Sequence, residues 1–152
     1  MFDKTSYFSL KEWDRLYRIF KMKLKCFIFF CAIKEGKFVQ IIFQTKEKTL
    51  IVKLIGELDH HVAGGVKDRI DKKITSSAAE NLIFDFSALS FMDSSGIGVV
   101  IGRYKLIKSI GGKTVIVSNA KSIDRLLNIA GIKKIISVRN DVDGAVCALK
   151  EG

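Results

Sequence analysis

From Thr45 onward, short apolar runs alternate with segments whose apolar residues recur every three or four positions. Leu50 to Ile55 reads as a strand closed by Gly56. Val62, Val66, Ile70 and Ile74 then form one stripe of a helix whose other face carries Lys67, Asp68, Asp71 and Lys72. Asn81 to Phe86 is apolar enough for a central strand, and Ser87 to Asp93 reads as the loop after it. Ser94 opens the next helix, with Ile97, Val100, Ile101, Tyr104 and Ile107 inward. Gly111-Gly112 ends it, because glycine adopts left-handed backbone without a Cβ penalty. Thr114 to Val117 is a third core strand, with Ser118 and Asn119 as cap residues for a short helix. That helix turns Ile123, Leu126, Leu127 and Ala130 inward and stops at Gly131. Ile135 to Val138 makes a last strand. Asp141 caps a final helix burying Val142, Ala145, Val146 and Leu149. Strand–helix units joined by short links imply an α/β fold with parallel neighbours.

The first 44 residues break this rhythm. They hold eleven of the fifteen Phe, Tyr and Trp residues, and Leu16 to Cys31 suits neither a clean amphipathic helix nor a regular strand. The reading divides the chain into an extension, residues 1–40, and one domain, residues 41–150. Residues 1–38 are expected to be a misassigned upstream extension with Val39 as the true start. Lys34-Glu35-Gly36 can be encoded as a bacterial ribosome-binding sequence, two codons ahead of a valine codon that can initiate.

With 152 residues, the chain suffices for one domain with a real core. The net charge of +10 divides into +5 before and +5 after residue 44. The longer second part mixes its signs, which argues against a nucleic-acid surface. Three cysteines, Cys26, Cys31 and Cys147, lack a disulfide or zinc pattern and read as reduced thiols of a cytoplasmic protein. No apolar run is long enough to span a bilayer. His60 and His61 are placed in an exposed turn. Neighbours on a helix point about 100° apart, so they make a poor metal pair; no metal and no cofactor are expected. Gly111-Gly112-Lys113-Thr114 lacks the upstream glycine of a phosphate loop and leads into a strand.

The strongest local signal is Phe91-Met92-Asp93-Ser94-Ser95-Gly96-Ile97-Gly98. A serine at a helix start can serve as a cap, and a phosphate there would face free amides and the positive end of the dipole. Met92 stands where a nucleophile elbow requires glycine, which argues against a hydrolase. Gly96, Gly98 and Gly102 cost helix stability and point to close packing or docking.

Gly56-Glu57-Leu58-Asp59-His60-His61, Leu89 to Gly98, Gly102-Arg103-Tyr104-Lys105 and Gly111-Gly112 closely resemble the STAS-domain anti-sigma factor antagonists, from about Ile41 to about Leu149. The G-E-L-D-H-H stretch favours the sporulation branch over the general stress-response branch. The resemblance implies a STAS fold, a mostly parallel sheet flanked by amphipathic helices. It also implies a non-enzymatic partner switch. Unphosphorylated antagonist binds an anti-sigma factor that is a serine kinase and releases the sigma factor, implied to be sporulation sigma-F. The kinase then phosphorylates Ser94, and a serine phosphatase reverses the modification. Asp59, His60, Met92, Asp93, Ser94, Ser95 and Gly96 are the expected docking residues. Charge reversal at Asp59 is expected to weaken docking and leave the fold intact. The competing readings are an antagonist of a general stress-response anti-sigma factor, a small nucleotide-binding enzyme, and a basic nucleic-acid or membrane adaptor.

Overall fold

A computed structural model describes residues 39–151, together with the backbone of Phe27–Phe29. The strands are β1 (Phe27–Phe29), β2 (Val39–Lys46), β3 (Thr49–Leu58), β4 (Asn81–Met92), β5 (Thr114–Val117) and β6 (Ser137–Arg139). The helices are α1 (His60–Ser77), α2 (Ser94–Ser109), α3 (Lys121–Ile129) and α4 (Val142–Lys150), with a 3-10 turn at Ile132–Lys134. They build one sheet in the order β1-β2-β3-β4-β5-β6. The β1–β2 and β2–β3 pairs are antiparallel, and β3 through β6 run parallel. The expected mostly parallel α/β architecture is what the chain forms.

Alternation along the strands decides what each face covers. Leu50, Val52, Leu54, Leu82, Phe84 and Phe86 join Val66, Ile70, Val100, Ile107, Ile123 and Leu127 in the main core under α1, α2 and α3. Ile51, Ile83, Val115 and Val117 point the other way and pack on Ala145 of α4. The two faces share β3, β4 and β5, so the paired stretches 50–52, 82–84 and 115–117 are apolar without interruption.

Several boundaries differ from the sequence reading. β2 is a strand that the aromatic crowding before residue 44 concealed, although Val39, Ile41 and Phe43 alternate inward. β3 does not close at Gly56 but runs to Leu58. Gly56 instead takes a φ of +102°, open to glycine, beside a shift in the β3–β4 register. β4 likewise continues to Met92 where a loop was expected, because Ala88, Leu89, Phe91 and Met92 keep pairing with β3. α1 begins at His60, so the histidines are its first helical residues and not a preceding turn. It buries Ala63 on its inner stripe, with Val62 at the margin.

α3 is entered through Ala120 without a side-chain cap, and Ser118 is buried, so neither Ser118 nor Asn119 caps it. Ala130 is exposed and Leu126 only half-buried. In α4, capped by Asp141 as expected, only Ala145 is fully buried. The last strand begins at Ser137, after the 3-10 turn takes Ile132 inward. The proposed start at Val39 concerns residues 1–38, which lie outside the described residues apart from Phe27–Phe29.

Candidate functional site

The site is built by strand register. Leu58 is the partner of Met92 across the β3–β4 pair, so the next residues, Asp59 and Asp93, emerge side by side at the carboxyl ends of the two strands. Each carboxylate caps the helix that follows it. Asp59 Oδ1 accepts from the amides of His61 (2.9 Å) and Val62 (3.3 Å) at the start of α1. Asp93 Oδ1 accepts from those of Ser95 (2.8 Å) and Gly96 (3.3 Å) at the start of α2.

Asp93 does more than cap its own helix. Its second oxygen, Oδ2, accepts from the backbone amide of His60 at 3.1 Å and lies 3.7 Å from His60 Nδ1. One carboxylate therefore ties the starts of α1 and α2 together. Burial alone would raise the Asp93 carboxyl, but the amides of Ser95, Gly96 and His60 and the His60 ring outweigh it. They hold it below the ordinary carboxylate range.

Ser94 is thus the first residue inside α2, and the cap is Asp93; the cap role open to Ser94 in the sequence is filled by its neighbour. Its side chain is exposed, in the first helical turn, where negative charge is favoured. Ser95 and Asp93 are half-buried, and His60 is exposed. The rings of His60 and His61 lie 3.9 Å apart between centroids. Three of the expected docking residues are buried: Asp59 (2% exposed), Met92 and Gly96. A Cβ on Gly96 would run into the Met92 side chain and sit 3.1 Å from Leu58 Cδ2, so this glycine lets α2 seat against the strand ends. A Cβ on Gly98 or Gly102 would meet nothing within 4 Å. Close packing within the molecule explains only the first of the three.

The buried cap corrects one expectation. Reversing the charge of Asp59 would remove the α1 cap and place a lysine in a closed site, so it would lower stability as well as docking.

Two features of β4 and α2 were absent from the expected site residues. Phe91 is 47% exposed three residues before Ser94, an unusual position for a large ring that the sequence had placed in a loop. Arg103, by contrast, is buried and joined to Asp71 of α1; an arginine and an aspartate 32 positions apart in separate helices gave no sign of this. The clearest concavities lie elsewhere, one of them a groove on the α4 face bordered by Ile42, Gln44, Lys53, Asp85 and Val142. Neither Ser94 nor Asp93 nor His60 borders these concavities.

A sheet of this order, with two helices starting together at the ends of its central strands, defines a mostly parallel α/β module. The STAS domain family matches residues 40–145, and the chain belongs to that family. It is 39% identical over 113 residues to the anti-sigma F factor antagonist of Paenibacillus polymyxa, covering 74% of this chain and 94% of that one. Among solved structures it resembles the anti-sigma factor antagonist SpoIIAA in its unphosphorylated form. The TM-score is 0.64 at 26% identity, over 72% of this chain and 96% of that one. It also resembles the Bacillus cell fate determinant SpoIIAA in its phosphorylated form, with a TM-score of 0.58 at 27% identity, over 71% and 97%. The kinship with the sporulation branch expected from the G-E-L-D-H-H stretch is borne out.

Proposed function

We propose that the protein is an anti-sigma factor antagonist that works by partner switching. Unphosphorylated, it docks an anti-sigma factor that is also a serine kinase, using the strand ends and the first turns of α1 and α2. The sigma factor so released is sporulation sigma-F. Phosphorylation of Ser94 ends the complex, and a serine phosphatase restores it. The protein is ligand and substrate in this cycle, not an enzyme.

The observation that carries this reading is the exposed Ser94 at the first position of α2. A phosphate there adds about −1.5 to −2 charge at neutral pH, and the helix start can hold it with little change in the fold. A docked partner cannot hold it so cheaply. Covering Ser94 would bury the new charge beside the Asp93 carboxylate, and an unpaired buried charge costs several kcal/mol. Each ~1.4 kcal/mol is tenfold in affinity, so part of that cost is enough to release the partner. His60, Ser95 and the half-buried Asp93 meet the partner directly; Asp59, Met92 and Gly96 shape the surface from beneath.

The test is incubation with ATP and the cognate kinase, with the phosphate mapped by mass spectrometry. Label should fall on Ser94, and Ser95→Ala should still accept it. Ser94→Ala should stay bound to the kinase, whereas Ser94→Asp should bind about tenfold or more weakly. A phosphate on Ser95, or equal binding of the two phosphorylation states, would overturn the mechanism.

A further inference from the structure

Ten residues into α2, Arg103 is 7% exposed yet charged. Its guanidinium grips Asp71 of α1 with two parallel bonds, Nε to Oδ1 at 2.8 Å and Nη2 to Oδ2 at 2.9 Å. Nη1 reaches back to the Val99 carbonyl at 3.4 Å, which anchors the fork to its own helix.

The energetic reason for such a pair is weak. Arg103 is desolvated while the Asp71 side chain stays 34% exposed, so burial cost and solvent screening both offset the attraction, and apolar replacements of such pairs are often neutral or stabilising. What a bidentate pair adds is geometry, since the planar fork accepts a carboxylate in one plane and at one height along the helix. Here the geometry has a use. α1 and α2 are joined at their starts by the Asp93 carboxylate and the His60 amide. The Arg103–Asp71 pair joins them again about 15 Å further along both axes, at a rise of 1.5 Å per residue. Both helices also pack on the sheet; two polar ties fix their relative register and angle more closely than one.

Resting on the docking role proposed above, we propose that Arg103 and Asp71 are positioning residues of the docking face. From the middle of both helices they hold the starts that carry Ser94 and His60 in the arrangement the partner recognises. Neither side chain need touch the partner.

The experiment must separate position from stability, and three full-chain variants do so: Arg103→Lys, Asp71→Asn and the double variant Asp71→Leu/Arg103→Met. Each is measured for melting temperature, for affinity toward the cognate kinase, and for hydrogen exchange at the His60 amide, eleven residues from Asp71. Arg103→Lys keeps the charge but loses the fork. Well below its melting temperature it should bind about tenfold more weakly, which corresponds to ~1.4 kcal/mol. Asp71→Asn should show the same direction of loss. The double variant should recover much of the melting temperature yet remain about tenfold weaker in docking, with faster exchange at His60. Wild-type affinity and wild-type His60 exchange in folded Arg103→Lys or in the double variant would overturn the inference. A wild-type protein that failed to bind the kinase would instead sink the proposed function, and His60 exchange in the variants would still decide whether this pair sets the helix starts.

Discussion

Asp93 concentrates the logic of the site in one side chain. It caps α2 with one oxygen and holds α1 with the other, so its loss should act on both helices. Asp93→Ala should cost about 1 kcal/mol for the cap alone, and more once the His60 amide loses its acceptor; denaturant titration reads the total. The acid response follows from the same bonds. Because the folded carboxyl is held below its ordinary value, its contribution is complete above the unfolded value, near 4, and is lost as pH falls through the lower folded value. Wild-type stability should therefore drop more steeply below about pH 4 than that of Asp93→Asn, whose amide does not titrate over this range. Equal slopes in acid unfolding would count against the carboxylate. The sequence showed a helix opening at Ser94 but left Asp93 in the loop before it, with no sign that Asp93 caps that helix and reaches a second one. That bond spans 33 positions and depends on the Leu58–Met92 register.

At the level of elements, the glycines of α2 divide by what surrounds them. Gly98 and Gly102 face open space, so alanine at either should stabilise the free protein by up to about 1 kcal/mol through helix propensity. If the partner approaches α2 as proposed, the same variants should dock less well, and a rise in melting temperature with unchanged affinity would remove that stripe from the interface. Gly96→Ala should go the other way, since overpacking against Met92 and Leu58 costs typically ~1–3 kcal/mol. At the far end of α2, Gly111 has a φ of +80° and the Gly112 amide closes on the Ile107 carbonyl at 2.9 Å. A Cβ on Gly112 would overlap the Glu80 carbonyl. This stop was legible, because a glycine pair after an apolar stripe has one physical meaning. The length of β4 was not. Ser87, Ala88, Ser90 and Phe91 look like a loop in one dimension, and only the neighbouring β3, shifted in register near Gly56, makes them strand.

For the whole molecule, period and punctuation were enough to read an α/β domain with helices α1 to α4 in their order. Which helix covers which face was hidden, because strands buried on both sides show no alternation. The division predicts a clean separation of effects. Ala145 is fully buried against Ile51, Ile83, Val115 and Val117, on the face opposite α1 and α2. Ala145→Leu should lower stability by about 1–3 kcal/mol while kinase affinity in the folded protein stays unchanged; a matching loss of affinity would show that the two faces are coupled. The sheet order itself carries a last consequence. Each strand lies beside the one made just before it, so a chain leaving the ribosome always finds its next partner already synthesised, and no strand waits for a distant one. Such nearest-neighbour assembly shortens the loops that folding must close and favours speed. Both caps, both helix starts and the Arg103–Asp71 pair are complete by the end of α2, before β5, β6 and α4 exist. The end of the molecule that carries the two helix starts is translated before β5 and β6, which complete the sheet behind it.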